Sequence, residues 1–132
     1  IVRGEPVALP ETVATAIRIG NPASWKDALA ALEESGGRIE AVPDADILAA
    51  QAELAAKDGI FVEPASAVGV AGLLRSHAAG LVDPGQRVVI TVTGHGLKDV
   101  DAALTAVGGL EGIDKITVPA DVEATARALD LE

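Results

Sequence analysis

The sequence predicts an α/β fold, a mostly parallel sheet with flanking helices, and three observations carry that reading. Residues 87–93 read RVVITVT, a nearly continuous β-branched run of the kind found in strands covered on both faces. Short apolar stretches alternate with longer segments of helical periodicity, the order expected where helices connect parallel strands. Hydrophobic residues make up 49% of the chain, yet Phe61 and Trp25 are its only aromatics, and small aliphatic side chains let helices lie close on a sheet. At 132 residues one core is the ceiling.

Taken in order, Ile1 to Pro10 is broken by Gly4, Pro6 and Pro10 and reads as an extended entry. Thr12 to Ile19 alternates and stops at Gly20, Asn21 and Pro22, so a loop with a brief helix or strand is expected. Ser24 is placed to cap a helix carrying Trp25, Ala28, Leu29 and Leu32 at helical spacing, ended by Gly36 and Gly37. Arg38 to Val42 alternates as a short strand would. Pro43 and Asp44 then open a second helix running to about Lys57, burying Ile47 and Leu54 and closed by Asp58 and Gly59.

Ile60 to Val62 is a short apolar strand, and Glu63 to Ser66 turns it into a third helix, roughly Ser66 to Ala79, apolar around most of its circumference and therefore buried. Gly69 and Gly72 would each cost a free helix about 1 kcal/mol relative to alanine, so close packing against a neighbour or ligand is their expected reason. Beyond the turn at Asp83 to Gly85 comes the run at 87–93, broken sharply by Gly94, His95 and Gly96. An acidic helix near Asp99 to Val107, a strand near Lys115 to Val118 and a last helix near Asp121 to Leu129 complete the chain.

Charge and composition narrow the function. A formal net charge of -10 repels a phosphate backbone, so nucleic acid is not an expected partner. No apolar run approaches the roughly 18 residues a membrane span needs, and the start lacks a secretory pattern; cytoplasm is the default. Cysteine is absent, which excludes a disulfide framework and thiolate metal sites. The chain begins at Ile1 and contains no methionine, from which we expect a piece of something longer.

In such sheets ligands sit beyond the carboxyl ends of the strands, and two turns fall there. At Thr93 to Gly96, T-G-H-G, the glycines let backbone approach a flat ligand without a Cβ between them; a plain strand-to-helix turn would use the same residues. At Glu63 to Ser66, Ser66 can cap the helix and offer its free N–H groups to a ligand, or cap it and do nothing more. His77 and His95 have no acids at metal-ligand spacing, so no metal is expected. Neither a nucleophile elbow nor a phosphate-binding glycine pattern occurs. Residue by residue, the sequence supports an α/β domain with a possible ligand site at two turns.

Three longer strings go further: PETVATAIRIGNPASW at Pro10 to Trp25, GIFVEPASA at Gly59 to Ala67 and TVTGHGLKD at Thr91 to Asp99. In these words and this order they resemble the carboxy-terminal part of bacterial threonine synthases, over nearly the whole chain. The resemblance implies the tryptophan-synthase-β-like fold, with residues 1–132 as the carboxy-terminal part of the large, pyridoxal-phosphate-binding domain. It also implies the conversion of O-phosphohomoserine and water to threonine and phosphate. By this resemblance the threonine facing the cofactor's pyridine nitrogen falls on Thr93, with Gly94 passing beside the ring. Ala16 and Ile17 line one face of it, and Glu63 to Ser66 form the neighbouring wall. A hydroxyl there donates to a neutral nitrogen, where a carboxylate would hold it protonated and strengthen the electron sink.

Val100 and Val68 depart from the family's usual proline and alanine, away from the cofactor. The Schiff-base lysine, the phosphate cradle and the substrate-carboxylate loop belong upstream of the region resembled. Lys26, Lys57, Lys98 and Lys115 lie outside the lysine motif, so no catalytic residue is assigned and the chain alone is expected to be inactive. Other readings are a non-catalytic interaction module with the same fold, and a related threonine dehydratase or serine racemase; I-R-I-G-N-P-A-S-W points away from the latter pair. A sheet cut from a larger domain leaves an edge uncovered, so a homo-oligomer is expected.

Overall fold

The structure is a computed structural model that describes Ile1, residues 3–106 and residues 116–131. Its centre is a pair of helices. Helix α2 spans Asp44–Glu53 and runs on through a π-helical turn, Leu54–Asp58, while α3 spans Pro64–Ala78. The two pack on each other through Ile47 and Ala50 from α2 and Ala67 and Ala71 from α3, with Val62 closing the cluster. Alanines on both sides of the seam are what allow the close approach. Arg75 and Asp46 tie its rim with an ion pair at 2.6 Å.

The helix boundaries follow the local chemistry. Helix α1, Trp25–Ser35, starts after Ser24 and ends at Gly36, whose φ of 62° is the left-handed conformation that glycine tolerates without a Cβ clash. The Ser24 side chain makes no capping bond, contrary to expectation, because its backbone adopts φ -97° and ψ 30° rather than the extended geometry a cap requires. Gly59, at φ 67°, ends the π-helical turn in the same way. Helix α3 begins two residues earlier than the sequence reading placed it: Pro64 takes the first helical position, where its missing N–H costs nothing. Helix α4, Val100–Ala106, follows a 3-10 turn at Gly96–Asp99. Helix α5, Val122–Ala128, is capped by Asp121, whose carboxylate accepts the Ala124 N–H at 2.8 Å.

The strands are the main correction. Among the described residues no strand forms at Arg38–Val42, Ile60–Val62 or Arg87–Thr93, nor over Ile116–Val118; Lys115 and Val107 lie outside those residues. The expected parallel sheet is therefore not formed among them. What remains is a single antiparallel bridge between Val62 and His95. A β-branched run becomes a strand only when a neighbouring backbone pairs its N–H and C=O groups. Residues 87–93 find no such partner here, and Val89 is 87% exposed.

Helix α3 is likewise buried on one side only. Its buried residues are Pro64, Ser66, Ala67 and Ala71, while Leu74 is 45% exposed. Gly69 has the reason expected of it, since a Cβ there would stand 2.9 Å from Ile90 Cγ2. Gly72 does not: its nearest neighbour, Val42 Cγ2, would lie at an ordinary 3.9 Å.

Candidate functional site

The three strings that stand far apart in sequence converge at the amino end of α3. Gly59 to Ala67 and Thr91 to Asp99 are joined by two backbone hydrogen bonds: the Glu63 N–H donates to the Gly94 carbonyl at 3.0 Å, and the Gly96 N–H donates to the Phe61 carbonyl at 3.1 Å. Gln51, buried in α2, donates from Nε2 to the Val62 carbonyl at 2.7 Å and so fixes the same short bridge from the helix side. Its Oε1 has no partner among the described residues.

Both glycines of T-G-H-G are there because of side chains from the other turn. A Cβ on Gly94 would collide with the carboxyl group of Glu63, and one on Gly96 with the ring of Phe61. The space beside Gly94 is thus filled by Glu63, not left for a ligand ring. Glu63 is 4% exposed, and its Oε1 accepts from Lys98 Nζ at 3.1 Å. A buried carboxylate without a cation would carry a desolvation penalty of several kcal/mol, so Lys98 has a structural task. His95 packs edge-on against Phe61, with ring centroids 5.6 Å apart, and its Nδ1 accepts the Leu97 N–H.

Ser66 is the hinge between the two turns. Rather than capping α3, it sits inside the first turn with its Oγ directed at the other loop, where it accepts the Gly94 N–H at 2.6 Å and the Thr93 N–H at 3.2 Å. It lies 2.9 Å from Thr93 Oγ1. Ser66 and Gly94 are buried, while Thr93 is exposed.

The Pro10–Trp25 string reaches the same end of the molecule. Its 3-10 turn, Thr15–Ile17, lies beside α3, and Thr15 Oγ1 donates to Asp99 Oδ2 at 2.7 Å. Behind it, Asp44 at the start of α2 accepts from Thr12 Oγ1 at 2.6 Å and from the Val13 N–H at 3.0 Å, and Arg18 grips the Thr12 carbonyl with two donors. Ala16 and Ile17 are exposed, Ile17 by 50%. Thr93, Ala16 and Ile17 are thus each at the surface. A concavity of about 210 Å³ opens further along the string, between Glu5 and Pro6 on one side and Asn21, Pro22 and Trp25 on the other.

Sequence reasoning missed Gln51, Phe61, Lys98 and Asp99 as parts of this arrangement. Their partners stand 11, 35 and 84 positions away for Gln51, Lys98 and Asp99, and no local pattern signals such pairs.

The turn at Thr93 presents one exposed hydroxyl, braced by Ser66. A model of the pyridoxal-phosphate dependent enzymes matches residues 2–94, and the chain belongs to that family. Within it, the chain is similar to threonine synthases. It is 49% identical to the threonine synthase of Mycobacterium leprae over 131 residues, 99% of this chain and 35% of that protein. With that of Synechocystis it shares 48% over 128 residues, 97% of this chain and 32% of that protein. With that of Methanocaldococcus jannaschii it shares 55% over 101 residues, 76% of this chain and 25% of that protein. The chain thus spans about a third of the length of the curated relatives it matches.

Proposed function

We propose that this chain is the carboxy-terminal part of the cofactor domain of a threonine synthase, acting on O-phosphohomoserine and water to give threonine and phosphate. The observation that supports the reading is the meeting of the three strings: Ser66 braces the Thr93 hydroxyl and the Gly94 N–H, while the turn that carries Ala16 and Ile17 packs beside α3 and is bonded to Asp99 through Thr15. The residues fit pyridoxal phosphate, because an exposed hydroxyl on a rigid turn is a ready donor to a ring nitrogen and Ile17 supplies an apolar surface for the ring. When bound, the cofactor supplies the electron sink of the reaction. Thr93 orients the ring and leaves its nitrogen neutral; Ala16 and Ile17 cover a face and exclude water; Glu63 and Lys98 hold the turn in place.

The Schiff-base lysine is supplied from outside this chain. Lys98 is engaged with Glu63, Lys57 with Glu53 on the outer surface of the α2 extension, and Lys26 lies over the Trp25 ring. In the same reading, residues 87–93 become a central strand of a parallel sheet once a neighbouring strand is supplied, and an edge left uncovered is the reason a homo-oligomer is the expected state. No helix among the described residues is long and apolar enough to cross a membrane, and we place the enzyme in the cytoplasm with a small-molecule substrate and no nucleic-acid partner.

Mixed with pyridoxal phosphate, the chain alone should develop no Schiff-base absorbance beyond that of an equal concentration of free lysine side chains, and should release no phosphate from O-phosphohomoserine. A protein-specific band or phosphate release would show that a catalytic lysine lies within these residues.

A further inference from the structure

We propose that Ser66 is a positioning residue that fixes the direction of the Thr93 hydroxyl, turning its hydrogen away from Ser66 and so presenting a donor to an unprotonated, heteroaromatic ring nitrogen. The inference rests on the cofactor reading above and adds to it a residue that does not itself meet the ring.

Lone pairs decide which hydroxyl donates. A serine hydroxyl has two acceptor positions and one hydrogen. Ser66 Oγ already accepts the N–H groups of Thr93 and Gly94, at 3.2 and 2.6 Å, which occupies both. Its hydrogen must go elsewhere, and Thr93 Oγ1 stands at 2.9 Å. By distance alone either oxygen could donate. Were Thr93 the donor, Ser66 would accept three bonds while its own hydrogen, at a residue 4% exposed, had no acceptor. Leaving a buried donor unmade costs about 1–3 kcal/mol. Ser66 therefore donates, and Thr93 Oγ1 accepts.

The consequence falls on the hydrogen of Thr93. With one lone pair of Oγ1 held by Ser66, that hydrogen is turned away from Ser66. Thr93 is exposed, so the hydrogen is available to a ligand. Accepting one bond also strengthens the one it donates. The site should then prefer a ring nitrogen with a free lone pair over one that is alkylated, which can neither accept nor donate.

The test uses pyridoxal phosphate and its N-methylpyridinium derivative as probes, on the chain itself and on Ser66→Ala, Thr93→Val and the double variant. The wild-type chain should bind the first probe about tenfold more tightly, the worth of one hydrogen bond to a polar ligand. Ser66→Ala should lose most of that preference, and in the Thr93→Val background it should have no further effect, since Ser66 acts only through Thr93. An equal loss from Ser66→Ala with and without Thr93 would overturn the proposal, as would an unchanged preference.

A ligand-free measurement separates this proposal from the cofactor reading. Three-bond couplings of Thr93 should report one side-chain rotamer in the wild-type chain and averaging in Ser66→Ala. A single rotamer surviving in Ser66→Ala refutes the role of Ser66 whether or not either probe binds. Failure of both probes to bind the wild-type chain, with the rotamer behaving as expected, refutes the cofactor reading and leaves Ser66 as a brace for Thr93.

Discussion

Replacing Gly94 by alanine is expected to lower the unfolding free energy by about 1–3 kcal/mol, the usual cost of forcing an extra carbon into a packed site, and to disable the Thr93 turn. The added Cβ would stand where the Glu63 carboxyl group now lies. Glu63 cannot swing aside without cost, because its side chain is buried and held by Lys98, and its N–H donates to the Gly94 carbonyl. Either Glu63 loses its cation or the turn moves away from Ser66, surrendering the 2.6 Å bond to the Gly94 N–H. Urea unfolding measures the first effect, and hydrogen exchange at the Gly94 amide the second. Gly72→Ala is the control: the new Cβ meets nothing nearer than 3.9 Å, so in mid-helix it should gain up to about 1 kcal/mol.

Ile47→Ala should have the larger effect on stability, a loss of about 2–5 kcal/mol. Ile47 is 2% exposed and stands at the α2–α3 seam among Ala50, Ala67 and Ala71. The alanines have no longer side chains with which to fill the space, while Val62 in the same cluster and Leu54, Val68 and Val70 packed against it can close part of it, which keeps the loss within that range. Against a typical total of roughly 5–15 kcal/mol, one substitution should bring the chain close to its unfolding threshold. A loss well under 1 kcal/mol in a denaturant titration would mean that the seam is not the core.

These two positions also mark how far the sequence could be read. Helical segments were legible because their signals are local: the period of Ile47 and Leu54, the proline before α2, the stop glycines at Gly36 and Gly59. The run at 87–93 is not a strand among the described residues, because a strand is a property of two chains of backbone, and pattern describes only one. Within the site, Thr93 to Gly96 and Glu63 to Ser66 stood out as turns. What could not be seen was that each turn is the other's packing partner, with Gly94 against Glu63 and Gly96 against Phe61. Ser66 illustrates the limit most clearly. A serine at a helix start reads as a cap, whereas in the folded chain its hydroxyl spans 27 and 28 positions to the amides of Thr93 and Gly94.

The proposed receiving site for pyridoxal phosphate is Thr93, Ala16 and Ile17, with Gly94 buried behind Thr93 against Glu63. A titration of the isotope-labelled chain with pyridoxal phosphate, followed amide by amide in nuclear magnetic resonance spectra, tests it directly. The account predicts shifts concentrated at those four residues and at Ser66, with helix α5 unmoved. Shifts confined to the surroundings of Lys26 and Lys57, with Thr93 and Gly94 unchanged, would contradict it.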